Sequence, residues 1–120
     1  MWEVEYTDEF GEWWATLDEG VQEAIAHDVG VIEQIGPGLG RPTVDTVSGS
    51  KFPNVKELRT KHARHVIRIL FAFDPRRCAI LLIGGDKSGD SRFYERMIPL
   101  ADRIYQEHLD ELAREENDNG

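Results

Sequence analysis

Arg59, Lys61, Arg64 and Arg68 fall within ten residues of one another, in the segment "ELRTKHARHVIRILFAFD" (57–74), with His62 and His65 between them. Guanidinium forks and ammonium groups gathered this closely hold anionic oxygens, because charged donors make short, strong hydrogen bonds to them. An imidazole among them can move a proton near neutral pH. The chain around this segment is acidic, with 23 acids against 14 bases and a formal net charge of −9. Net charge alone argues against a polyanionic ligand. The distribution argues the other way. Eleven of the fourteen bases lie in residues 51–96, whereas residues 1–50 hold eleven acids and one base, Arg41. A charge block is often only a solvated face, but this partition reads as a local cationic site on an acidic body.

The elements that must position these side chains follow from periodicity. "WEVEY" (2–6) alternates Trp2, Val4 and Tyr6 against Glu3 and Glu5, a half-buried strand. Thr7 or Asp8 can cap a helix whose apolar face is Phe10, Trp13, Trp14 and Leu17. A second helical stripe is Val21, Ile25, Val29 and Ile32, and it stops at the Gly- and Pro-rich "IGPGLGRP" (35–42). A long polar loop then runs to about Pro53. Three strands follow, "VKELRT" (55–60), "HVIRILFAF" (65–73) and "CAILLIGG" (78–85), with connections short enough for hairpins. After "GGDKSGD" (84–90) the pattern turns helical through Phe93, Met97, Leu100, Ile104, Leu109 and Leu112, and Pro99 predicts a kink or a fresh start. The order β-α-α-β-β-β-α defines an α+β fold with a mostly antiparallel sheet. One domain is expected over residues 1–113, followed by a polar, disordered tail, 114–120.

Strand alternation decides which bases share a surface. Ile67, Ile69, Phe71 and Phe73 take the core side of their strand and leave Arg68, Val66, Leu70 and Ala72 on the other. With Leu58 inward, Arg59 and Lys61 stand on the side of Arg68, and Lys87 arrives from the end of the third strand. The expected result is an open cationic sheet face, from which Arg68 can be removed without disturbing the core. On the structural reading, Arg68 is simply the cross-strand partner of Glu57.

Other chemistries find little support. "GGDKSG" lacks the first glycine of a phosphate-binding loop. His62 and His65 point to different faces and make poor zinc co-ligands, so no metal or cofactor is expected. Cys78 is the only cysteine, which excludes an internal disulfide and suits a cytoplasmic protein. The longest apolar run, "AILLI" (79–83), is too short for a membrane span.

Taken together, "VKELRT", "RILFAF", "AILLIGGDKSG" and "FYERMIPLADRIYQEHL" resemble the HigB branch of the RelE/ParE toxin superfamily, the phage-derived Gp49-like group. The resemblance implies a RelE-like fold, two N-terminal helices and a C-terminal helix packed on a small sheet. It implies a ribosome-dependent mRNA endonuclease encoded beside a helix-turn-helix (HigA/Xre-like) antitoxin. It places Arg59, Arg68 and Lys87 in catalysis, with Asp86 standing where a lysine usually precedes Lys87. The chemistry would be metal-independent attack of a ribose 2′-OH on the adjacent phosphate, the growing negative charge being held by the arginines and lysine. His62 is the nearest titratable group for proton transfer, with Tyr94 or a lysine as alternatives. Lys61, Arg64, Arg92 and Tyr94 are expected to hold RNA. Two other readings stay open: a ParE-like topoisomerase inhibitor, and a degenerate toxin that only binds its antitoxin.

Overall fold

The structure, a computed structural model, describes residues 1–119. Strand β1 (Val4–Tyr6) leads into helices α1 (Asp8–Trp14) and α2 (Glu19–Ile35). Strands β2 (Val44–Thr46), β3 (Val55–His62), β4 (His65–Phe73) and β5 (Ala79–Asp86) follow, and helix α3 (Phe93–Asn119) closes the fold. The sheet order is β1-β5-β4-β3-β2. Only β1 and β5 run parallel; the other neighbours are antiparallel. Among the described residues no helix is long and apolar enough to cross a membrane.

Local chemistry sets the helix starts. The Thr7 side chain accepts from the Phe10 amide at 3.1 Å and Asp18 from the Val21 amide at 2.9 Å, each satisfying a donor the helix leaves orphaned. Val21, Ile25 and Ile32 of α2 are buried as their spacing requires. They pack with Phe10 and with Leu58, Ile67, Ile69, Phe71 and Leu81 of the sheet.

Three expectations are corrected. First, the far face of β4 is not open. Leu70 and Ala72 are fully buried, with Val55, Ile80 and Leu82, under Phe93, Met97, Ala101, Ile104 and Tyr105 of α3. The sheet is therefore covered by helices on both faces, since an apolar stripe as long as that of α3 must bury itself somewhere. Second, the 35–53 connection contains β2, a three-residue edge strand pairing Val44 with Leu58. Third, α3 runs as one helix through Pro99 to Asn119, so no fresh helix starts at the proline.

The Gly84–Gly85 pair has a packing cause. A β-bulge between Leu70 and Phe71 shifts the β5 register, so that Gly84 faces Ile69 and Gly85 faces Arg68. A Cβ on Gly84 would lie 2.4 Å from the Trp13 ring, and one on Gly85 would lie 2.9 Å from Phe93. The two glycines let a helix approach closely on either side of the sheet.

Candidate nucleic-acid interface

The β3–β4 register places Arg59 directly opposite Arg68. Same-face side chains at such a site stand close enough to interact. Glu57 lies two residues back on β3, on the same face, and its Oε1 is 3.7 Å from Arg68 Nε and 3.9 Å from Arg59 Nε. These are ionic contacts, longer than hydrogen bonds. Arg68 is 5% exposed. The surface position expected for it is therefore wrong, because α3 covers this face. Its Nη1 donates to the Ile67 carbonyl at 2.9 Å. The Nε atoms of both arginines are buried and have no hydrogen-bond partner. Two guanidiniums thus face one carboxylate, and two buried donors are left without acceptors.

Neighbouring groups extend this cluster on two sides. Pro42, Thr43, Arg59, Lys61 and Arg68 line one cavity of about 280 Å³. The Arg59 amide donates to the Thr43 carbonyl at 2.8 Å, which ties the β2 approach to the site. On the other side Glu57 and Tyr94 line a cavity of about 220 Å³ with Thr46, Val47, Ser48 and Ile98. Burial first, and then the Glu57 carboxylate beside it, raises the Tyr94 phenol above its ordinary pKa, while Arg68 pulls the other way. Lys87 Nζ sits 5.4 Å from the centre of the Tyr94 ring.

The structure therefore gathers Arg59, Lys61, Arg68, Lys87 and Tyr94 around one spot. It does not gather the rest. His62 shares the strand parity of Leu58 and Thr60, so it stands on the opposite face, where its Nε2 packs against Gly20 of α2. Arg64 is exposed in the β3–β4 turn, where its carbonyl accepts from Ser88 Oγ at 3.0 Å. Arg92 is exposed just ahead of α3, and among the described residues no ion pair joins it to the cluster. Asp86 is spent on the turn. It accepts from the Val66 amide at 3.1 Å and the Ser88 amide at 2.9 Å and lies 2.7 Å from His65 Nδ1. Despite partial burial, these bonds hold its carboxyl far below the usual range. Glu57 is the further member of this cluster, which the sequence reading named only as a cross-strand partner of Arg68. Its signal was present, since it has the parity of Arg59.

The family described as phage derived protein Gp49-like (DUF891) matches residues 12–106. The chain is 49% identical to the candidate toxin HigB3 of Mycobacterium tuberculosis over 92 residues, covering 76% of this chain and 79% of that protein. It is 46% identical to the candidate toxin HigB2 of the same organism over 99 residues, 81% of this chain but only about half (49%) of that longer protein. In fold it is similar to Escherichia coli RelE. The isolated toxin gives a TM-score of 0.60 at 11% identity over 82% of this chain and 97% of that one. A chain of the intact E. coli RelBE toxin–antitoxin complex gives 0.56 at 9% identity over 71% of this chain and 95% of that one. The chain belongs to the Gp49-like family and is a toxin of the HigB/RelE type with a RelE-like α+β fold.

Proposed function

We propose that this protein is the toxin of a two-component module and cuts messenger RNA on the ribosome at the Glu57–Arg59–Arg68–Tyr94 cluster. One observation carries the reading: two opposed arginines with unpartnered, buried Nε atoms share a single carboxylate. Buried donors without acceptors are rare and costly, and a phosphoryl oxygen would satisfy them.

In this reading the phosphate beside the attacked ribose binds at Arg59 and Arg68, with Lys61 holding the strand. Glu57 accepts the proton of the 2′-OH as the 2′-oxygen bonds to phosphorus. The guanidiniums hold the charge that gathers on the phosphoryl oxygens. The bond to the 5′-oxygen breaks, and Tyr94, kept protonated by its raised pKa, donates a proton to it. Lys87 over the Tyr94 ring holds further negative charge nearby. The products are a 2′,3′-cyclic phosphate and a 5′-hydroxyl. The scheme needs neither His62 nor a metal. Asp86 does not weaken it, because that carboxylate is engaged at the β5 turn and not at the arginines.

RelE occurs in a complex with its antitoxin. The same arrangement is proposed here, with a small helix-turn-helix antitoxin of the HigA type as the partner and the cytoplasm as the place of action. Induced expression without that antitoxin tests the reading. Growth arrest with loss of full-length transcripts is expected. Arrest with intact transcripts and damaged DNA would instead support topoisomerase inhibition, and no arrest would support a degenerate toxin.

A further inference from the structure

Asp102 is a buried carboxylate that the cleavage scheme does not use. It lies on α3 at 6% exposure, and the nearby cations of that helix pair with other acids: Arg96 with Asp90, Arg103 with Glu107 and His108 with Asp74. A carboxylate taken out of water must find donors, and those of Asp102 come from the β2–β3 connection. Ser50 Oγ donates to Oδ1 at 2.5 Å and the Lys51 amide donates to Oδ2 at 2.9 Å. Ser50 Oγ in turn accepts from the Phe52 amide at 3.0 Å. The turn 50–52 is therefore folded around one side chain of α3. Beside it Phe52 packs edge-on against Tyr105, ring centres 4.9 Å apart, and the Asn54 side-chain amide donates to the Tyr105 hydroxyl at 3.2 Å.

The same connection reaches the reaction site. Thr46, Val47 and Ser48, where it leaves β2, wall the cavity of about 220 Å³ whose remaining lining is Glu57, Tyr94 and Ile98. The Val47 amide donates to the Val55 carbonyl at 3.3 Å, closing the connection two residues ahead of Glu57. On α3, Tyr94, Ile98 and Asp102 recur every four residues and share one face, with Asp102 about 12 Å along the axis from Tyr94. Glu57 is fixed within the sheet by its pairing with Asp45 and Leu70. Tyr94 stands on a helix that must be set against that sheet, and Asp102 joins this helix to the hairpin that carries Glu57.

We infer that Asp102 is a positioning residue: by gripping the β2–β3 turn it sets Tyr94 of α3 against Glu57 of β3. The inference rests on the nuclease reading of that pair, in which Glu57 takes a proton and Tyr94 gives one. Asp102 does not line the cavity and acts only through the turn and the helix. Misplacing a reacting group by about 1 Å can cost about a hundredfold in rate, so the tie matters to the reaction out of proportion to its share of stability.

The test compares full-length Asp102→Ala, Asp102→Asn and Ser50→Ala with His108→Ala. His108 lies 2.9 Å from Asp74 and ties the same helix to the β4–β5 turn, so it controls for loosening of α3 away from the cavity. Carbon-13 labels at the tyrosine Cζ follow each phenol by NMR, with Tyr94→Phe assigning the Tyr94 signal. Burial and the Glu57 carboxylate raise Tyr94, and Arg68 opposes them. Loosening the tie weakens the first two, so Tyr94 should titrate lower in Asp102→Ala and Ser50→Ala than in the wild type, and should not move in His108→Ala. Asp102→Asn keeps a carbonyl oxygen for the Lys51 amide and should stay close to the wild type. On ribosomes carrying a synthetic messenger RNA, Asp102→Ala and Ser50→Ala should cleave about 10–100-fold more slowly at saturation, with the half-saturating concentration unchanged. His108→Ala should keep the wild-type rate. An unmoved Tyr94 in the folded variants, a wild-type rate in them, or an equal loss in His108→Ala overturns the proposal. If Asp102→Ala does not fold, Ser50→Ala decides alone. If the wild type cleaves nothing, the nuclease reading fails, and the Tyr94 titration still decides whether Asp102 sets Tyr94 against Glu57.

Discussion

Arg59 and Arg68 stand opposite each other across β3 and β4, and Glu57 is the one carboxylate between them, 3.9 Å from the first and 3.7 Å from the second. A pair of like charges this close is unfavourable unless an anion is shared. Glu57 neutralises one charge, and the second is left for a ligand.

Arg68 can therefore be removed in two distinguishable ways. Arg68→Met keeps most of the buried volume and leaves Glu57 paired with Arg59. Replacing buried charge by a well-packed apolar side chain is often neutral or stabilising, so the melting temperature should hold or rise. RNA cleavage should still fall by about 10²–10³-fold, the typical cost of losing one charge-stabilising donor. Arg68→Ala should lose activity and also stability, by about 2 kcal/mol, because it removes the buried stem as well. Thermal melts beside a cleavage assay separate the two. An active Arg68→Met would remove the arginine from the mechanism.

Inorganic phosphate should stabilise the folded protein. An anion that binds the native state and not the unfolded chain raises the melting temperature with its concentration. A rise is expected for the wild type and none for Arg68→Met. Equal rises in both would mean that phosphate binds elsewhere.

Gly84→Ala should destabilise by about 1–3 kcal/mol, the usual cost of overpacking, because the new methyl group would meet the Trp13 ring at 2.4 Å. Gly85→Ala should cost less, since the contact it creates, with Phe93, is 2.9 Å. Urea denaturation measures both. If neither substitution shifts the midpoint, the glycines are not there for packing.

The Asp86 carboxyl is held far below its ordinary pKa through its bonds to Ser88, His65 and Val66, against partial burial. A depressed pKa contributes stability above the unfolded-state value, about 3.9, and that stability is lost as pH falls toward the folded-state value. Asp86→Asn should therefore be less stable than wild type at neutral pH, and the gap should close progressively below about pH 4. A gap independent of pH would show that the turn does not depend on the charge.

The burial of Cys78, then the carboxylates of Glu5 and Asp74, push its thiol up to about 11. The thiolate is the reactive form, so iodoacetamide at pH 8 should modify Cys78 far more slowly in the native protein than in the urea-unfolded chain. Equal rates would contradict this burial.

Much of the sheet was legible because β3, β4 and β5 carry strong alternating or continuous apolar patterns. The same alternation correctly set Arg59 and Lys61 beside Arg68. It would also have removed His62, which has the parity of Leu58; nearness along the chain is a poor guide when a strand turns successive residues to opposite faces. The burial of Arg68 was harder to see. Alternation shows that Leu70 and Ala72 lie on the face of Arg68, but it does not say which helix covers them. β2 was too short to carry a period, and the bulge that re-aims Gly84 and Gly85 leaves no pattern of its own. The docking of α3 is what turns a surface arginine into a buried one.

The central claim is that Glu57, held between two arginines, takes the proton that starts RNA cleavage. The most direct test maps 5′-hydroxyl RNA ends in cells expressing wild type or Glu57→Gln at matched protein levels, with folding checked by thermal melts. New 5′-hydroxyl ends within translated reading frames are expected for the wild type, and at least about a hundredfold fewer for Glu57→Gln. If the folded variant produces the same ends at the same abundance, Glu57 is not the base; if the wild type produces none, the protein is not the nuclease described.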